Sequence, residues 1–214
     1  MSDPTAVRED YLTPPLEAAD LDADPLKQLE AWLEQALERG VHEPNAMTVC
    51  TVRADGTPNA RVQLLRGIDA RGLSFYGNYE SQKGRELEAT PHATLVFFWQ
   101  PLHRQVRVSG PVRRLPAGES DAYFATRPRG SQIGAWASPQ SRPLVSRDEL
   151  DALVAAAEAR FAGVEQVPRP PHWGGWLLAP REIEFWQGGM SRLHDRLRFR
   201  RDSGGPWAIE RLAP

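Results

Sequence analysis

The chain has one cysteine, Cys50, among its 214 residues, so no internal disulfide can form and no thiolate cluster can hold a metal. Histidine is nearly as scarce. His42, His92, His103, His172 and His194 show no ligand spacing, and no metal site is expected. Long apolar runs are missing too: the longest strongly apolar stretch, Leu95 to Trp99, is far too short to span a bilayer. No charged segment followed by an apolar one opens the sequence, so no signal peptide is expected and a cytoplasmic location is the default. Neither sign of charge dominates. With 26 Lys and Arg against 28 Asp and Glu, the net charge is -2, which argues against a general binder of nucleic acid or of anionic membrane. The glycine spacings of the dinucleotide fingerprint and the phosphate-binding P-loop do not occur. Cys50 itself lies in an apolar strand-like run, where a buried, inert thiol is expected.

What is present is an ordinary globular composition, 41% hydrophobic and 25% charged, with length enough for one buried core. Residues 1–23 are polar, carry Pro14 and Pro15, and read as an extended arm before a single domain over 24–214. Asp24 as cap and Pro25 in the first turn open a helix whose apolar face is Leu26, Leu29, Leu33, Ala36 and Leu37. Gly40 closes it. Short strands follow: Met47 to Arg53, then Asn59 to Arg66 across an Asp55-Gly56 turn, Leu73 to Tyr76, Ala93 to Trp99 and Arg104 to Leu115. Helices are expected at about 81–89, 119–126, 133–136 and 146–161, the last opening on Ser146 and Glu149 in capping-box spacing. Four more strands are expected at 176–178, 183–186, 197–200 and 207–212. Many short strands with few helices between them predict a mainly β, α+β fold, an antiparallel barrel with peripheral helices.

Arginine, lysine and small polar residues recur at strand ends and turns. Arg61 and Arg66 bracket Val62, Gln63, Leu64 and Leu65; Lys83 starts a helix, where backbone N–H groups already favour an anion. Arg127, Arg129 and Ser131 flank a Pro128-Gly130 turn just after Tyr123. A period of two puts Arg192, His194 and Arg196 on one strand face. Guanidinium groups match phosphate oxygens in pairs, so such sets suit phosphorylated ligands. On residue type alone, Trp186 and Tyr123 read equally as packing residues, Ser131 as a helix cap and His194 as a hydrogen-bonded structural histidine.

The segments R-V-Q-L-L-R at 61–66, F-Y-G-N-Y-E-S-Q-K-G-R-E-L-E at 75–88, R-Q-V-R-V-S-G at 104–110 and Y-F-A-T-R-P-R-G-S-Q-I-G-A-W-A-S-P-Q-S at 123–141 resemble the pyridoxamine 5'-phosphate oxidase family. So do P-P-H-W-G-G at 170–175, I-E-F-W-Q-G-G at 183–189 and R-L-H-D-R at 192–196. The resemblance runs from Asp24 to the C-terminus. It implies an antiparallel flavin split barrel, a homodimer with FMN between the two chains, and oxidation of pyridoxamine or pyridoxine 5'-phosphate to pyridoxal 5'-phosphate, with O2 as acceptor and H2O2 as product. Arg61 and Lys83 would hold the FMN phosphate. Val62, Gln63, Leu64, Leu65, Arg66, Tyr76, Gly77, Gln82, Gln105, Gln140, Ser141, Trp186 and Arg196 would line the rest of the flavin site. Tyr123, Arg127, Ser131 and Arg66 would grip the substrate phosphate. Arg192 and His194 would close over the pyridine ring as the catalytic pair, and Arg8 and Tyr11 in the arm would act as a lid.

Four departures from the family pattern are visible. Arg66 stands where lysine is usual, which keeps the charge but changes donor geometry. Gln82 replaces an arginine beside Lys83, Gly77 replaces a threonine, and Pro14-Pro15 replaces a common glycine pair. Two lost donors would weaken FMN binding by about tenfold or more. They leave room for a non-catalytic module that binds FMN or pyridoxal phosphate. A same-fold flavin oxidase acting on another aromatic is the other alternative, and the retained Tyr123, Arg127, Ser131, Arg192 and His194 speak against it.

Overall fold

The structure, a computed structural model, describes residues 5–6, 10–202 and 204–214. Arg8, expected in the lid, lies outside them. Asp24 caps helix α1 (Pro25–Glu38) by accepting from the Leu26 amide, with Pro25 in the first turn. The helix buries Leu26, Leu29, Trp32 and Ala36. Leu37, expected on that face, is exposed instead, because Trp32 turns the buried stripe away from it. Trp32 meets Phe185 edge-on at 5.1 Å and carries the Arg104 guanidinium 4.3 Å above its ring.

Among the described residues ten strands follow: β1 (Ala46–Val52), β2 (Pro58–Leu64), β3 (Gly67–Asp69), β4 (Gly72–Asn78), β5 (His92–Trp99), β6 (Arg104–Arg114), β7 (Trp173–Leu178), β8 (Glu182–Gln187), β9 (Asp195–Arg200) and β10 (Ala208–Arg211). The β1–β2 hairpin closes as its sequence requires. Gly56 takes a φ of 84° and the Asp55 carboxylate accepts from the Thr57 amide. All pairings are antiparallel, and the main sheet runs β10-β9-β8-β6-β5-β1-β2. β6 is the hub. Its first half pairs with β8 and its end with β7, which leads on to β4 and β3. The sheet therefore curls into a half-barrel, with α1 packed on the inner side of Val49, Leu95, Phe97, Val106 and Phe185.

Helices α2 (Gln82–Ala89), α3 (Ala117–Ala125), α4 (Arg129–Ala137) and α5 (Arg147–Arg160) lie at the periphery. Ser146 caps α5 by accepting from Glu149 N, while the Glu149 carboxylate reaches back to the Val145 amide, one residue earlier than a capping box would place it. A second core of Phe124, Ile133, Ala137, Phe161, Val167 and Trp173 joins α3–α5 to β7. Cys50, expected to be buried, is partly exposed on β1. Among the described residues no helix is long and apolar enough to cross a membrane, and no group of His, Cys, Asp and Glu could hold a metal.

Candidate active site

Two adjoining cavities open where the second core meets the sheet. One, of about 320 Å³, is lined by Val62, Gln63, Leu64, Arg66, Tyr76, Gly77, Tyr123, Arg127 and Trp173. The other, of about 330 Å³, is lined by Asn59, Ala60, Arg61, Ser81, Gln82 and Ser141. Gln63, Lys83 and Gln140 line both.

In the first cavity, Tyr76 from β4 and Tyr123 from α3 stack at 3.9 Å, and Trp173 from β7 lies parallel to both. The Arg127 guanidinium sits 4.6 Å above the Trp173 ring. Its Nη1 is buried without a hydrogen-bond partner among the described residues. Burial holds its pKa below the ordinary arginine value, opposed by Tyr123 and reinforced by the charge of Arg66. A half-buried guanidinium with an unspent buried donor, beside a second arginine, favours an anion.

In the second cavity, Ser81 caps α2 by accepting from Gly84 N, which places Lys83 in the first turn. The Lys83 ammonium donates to Gln140 Oε1 at 3.0 Å and to Ser81 Oγ at 3.3 Å. Burial first, and the charge of Arg61 second, lower its pKa to about 8. Gly77 makes room for it: a Cβ there would lie 2.8 Å from Lys83 Nζ, so a threonine at 77 would displace the ammonium. Arg61 is held from behind. Its guanidinium donates to Val49 O at 3.0 Å, Thr51 Oγ1 at 2.6 Å and Glu86 Oε2 at 3.1 Å. Burial pushes the Glu86 carboxyl up, but hydrogen bonds from Thr51 and Asn59 and the charge of Arg61 outweigh it, leaving Glu86 below the usual range. Glu86→Ala should therefore lower stability by about 2 kcal/mol, read by chemical denaturation, and an unchanged midpoint would remove Glu86 from this role.

A separate cluster forms on β6, β8 and β9. Gln105 faces Trp186 across β6–β8, and Trp186 faces Arg196 across β8–β9. The Arg196 guanidinium donates to both oxygens of buried Glu184, at 2.9 and 3.2 Å. His194 lies 4.6 Å from Trp186, with Tyr11 of the arm 5.9 Å away. His194 Nδ1 accepts from the Gly189 amide at 3.1 Å, so the neutral ring carries its proton on Nε2. Burial and the charge of Arg192 lower the His194 pKa.

One expectation needs correction, and two expected site residues stand apart from the cavities. Arg192, His194 and Arg196 do not share a strand face: β9 begins at Asp195, and Ser191 and Arg192 form a turn with φ of 53° and 61°. Ser131 lies in the first turn of α4, which Pro128 caps, and is exposed outside both cavity linings. Leu65 sends its side chain into the core. Trp173, Ser81 and Asn59 line the cavities without having been singled out. Trp173 stood in P-P-H-W-G-G, but only β4–β7 pairing shows that it floors Arg127.

The expected site residues thus divide into two groups, and Gln105, Trp186, Arg192, His194 and Arg196 line neither cavity. The cavities fit a phosphorylated flat ring and a second phosphate beside it: two cationic ends, stacked aromatics, and a buried Gln63 Oε1 with no partner among the described residues.

The architecture is that of the split barrel. PhzG from Burkholderia lata 383, solved in complex with tetrahydrophenazine-1-carboxylic acid, superposes with a TM-score of 0.86 at 37% identity, covering 96% of this chain and 98% of PhzG. A pyridoxamine 5'-phosphate oxidase-related, FMN binding protein from Nostoc punctiforme PCC 73102 shares the fold at 16% identity, with a TM-score of 0.69 over 86% of this chain and 96% of its own. Residues 33–161 match the family described as Pyridoxamine 5'-phosphate oxidase, and residues 173–214 match the Pyridoxine 5'-phosphate oxidase C-terminal dimerisation region. The pyridoxine/pyridoxamine 5'-phosphate oxidase of Salinibacter ruber is 52% identical over the full length of both chains. That of Bordetella petrii is 55% identical over 97% of this chain and 98% of its own. The chain belongs to the pyridoxamine 5'-phosphate oxidase family.

Proposed function

We propose that this oxidoreductase uses FMN to oxidise pyridoxamine or pyridoxine 5'-phosphate to pyridoxal 5'-phosphate, with O2 as the final acceptor and H2O2 as product. The observation that carries this is Arg127, half-buried on Trp173 with an unspent Nη1 beside Arg66 and Tyr123. It is a receptor for a phosphate next to a cavity that already holds Arg61 and Lys83. Arg61, Gln82, Lys83, Gln140 and Ser141 would hold the cofactor phosphate, with Gln63 and Gly77 along the shared wall. FMN, once bound, supplies the two-electron acceptor for the C4' carbon of the substrate.

The chain's own contribution is position. Arg66, Tyr123 and Arg127 fix the substrate phosphate and so the reach of its ring. A second copy of the chain completes the site, its Trp186–Arg196 cluster covering the cavities of the first; the match to a dimerisation region supports this. His194 Nε2–H donates to the substrate and Arg192 adds positive charge. Neither acts as a strong base. His194→Ala should lower kcat about tenfold with flavin content unchanged, and a wholly inactive variant that still holds FMN would assign His194 a larger part.

The test is direct. Purified protein given FMN should turn yellow, and each substrate should yield peroxide and aldehyde in equal amounts, pyridoxamine phosphate with ammonia besides. A second reading, oxidation of another aromatic, draws on the likeness to PhzG. Turnover of an unphosphorylated aromatic with none of pyridoxamine phosphate would favour it.

A further inference from the structure

The N-terminal segment meets the second cluster at Tyr11, and two residues without any role so far hold the tyrosine ring. His103 closes the turn between β5 and β6 in the left-handed region, φ 50° and ψ 40°. Its imidazole stacks on Tyr11 at 4.2 Å and 28°. Its carbonyl accepts from the Gly188 amide at 2.8 Å, which ties the turn to the end of β8. Gly188 forms the other wall. A Cβ there would lie 2.8 Å from Tyr11 Cγ and 3.0 Å from His103 Cβ, so any side chain at 188 would occupy the space of the ring.

From this socket the Tyr11 ring reaches Trp186 edge-on at 6.2 Å and His194 at 5.9 Å. Beyond Tyr11 the backbone is strapped to the same strands. Thr13 Oγ1 donates to Gly188 O, Gln187 Nε2 donates to Pro14 O at 2.8 Å, and the Leu16 amide donates to Asp195 Oδ2 at 2.9 Å. Those bonds and the tyrosine socket together hold the segment on the strands, while the orientation of the ring rests on His103 and Gly188 alone. The Gly189 amide pins one edge of the His194 ring, and Trp186 and Tyr11 lie tilted beside it at 4.6 and 5.9 Å.

We propose that His103 is a positioning residue for the oxidase reaction: with Gly188 it seats Tyr11, and through Tyr11 it fixes His194 for the substrate. The last step rests on the role given to His194 above. Because His103 has a backbone that glycine adopts freely, His103→Gly removes the platform and keeps the turn. Gly188→Ala fills the socket from the other side. His103→Phe keeps a flat ring to stack on.

Two measurements on the FMN-supplied protein separate the steps. Amide hydrogen exchange of Leu16, whose N–H is bonded to Asp195, should speed up about tenfold in His103→Gly and in Gly188→Ala, and return to the parent rate in His103→Phe. kcat for pyridoxamine phosphate should fall about fivefold in the first two variants, with KM and FMN affinity within about twofold of the parent. Unchanged exchange in both variants would overturn the socket. Faster exchange with an unchanged kcat would overturn the link from Tyr11 through His194 to the substrate. A parent protein without oxidase activity would sink the proposed function, and the exchange rates would still decide the socket.

Discussion

Arg127→Gln should raise KM for pyridoxamine 5'-phosphate by about 100-fold, because two charge-assisted hydrogen bonds at about 1.5 kcal/mol each are lost. The effect should be confined to the phosphate. Unphosphorylated pyridoxamine, which brings no phosphate to Arg127, should lose little, so any preference for the phosphorylated form collapses. FMN binding should not move, since Arg127 lines only the first cavity. Steady-state kinetics with both amines and a flavin titration give all three quantities. Equal losses for both amines would mean that Arg127 braces the Tyr123–Trp173 stack and does not bind phosphate.

The second large effect concerns Lys83. Its ammonium is held near pKa 8 by burial and by Arg61, while the second ionisation of a phosphate ester falls at about 6. Charged lysine and dianionic phosphate therefore coexist between about pH 6 and 8. FMN affinity should be flat in that window and fall above pH 8, by about tenfold in all, as the free protein loses the proton that favours binding. Lys83→Met should raise the Kd about tenfold at pH 7 and abolish the alkaline fall. The unliganded protein should do the opposite. Its folded lysine titrates below the usual 10.5, so the unfolded chain holds more protons between about pH 8 and 10.5 and stability rises there. Flavin fluorescence titrations and denaturation midpoints across that range check both arms. An alkaline fall that survives in Lys83→Met would move the titration to another group.

Gly77 alters what can be expected of a repair. Restoring the family's threonine adds a donor, yet its Cβ would land against Lys83 Nζ. The glycine and the placement of the lysine belong together. Gln82 lines the same cavity without a charge, which leaves Arg61, already shared with Glu86, and Lys83 as its cations.

Much of the fold was legible because local chemistry and tertiary packing agree. Asp24, Pro25 and Gly40 bound α1, Asp55-Gly56 closes the first hairpin, and alternation marks β1, β5 and β6. β3 escaped notice because three residues carry no period, and only pairing with β4 makes them a strand. The turn at Ser191–Arg192 escaped because left-handed backbone at non-glycine residues leaves no mark in composition. For the site, motif resemblance supplied the residue names and the structure supplied their grouping. No spacing in the sequence tells that Tyr76, Tyr123 and Trp173 stack, since they come from β4, α3 and β7.

The hub position of β6 bears on how the protein is made. Residues 173–214 contribute β7 to the open edge of β4 and β8 to the open edge of β6, and Trp173 is the floor beneath Arg127. Until the ribosome has released that stretch, the emerging chain carries two unpaired strand edges and half a receptor. Final folding must therefore wait until β7 and β8 have emerged, and a truncation anywhere before Trp173 leaves a sticky fragment.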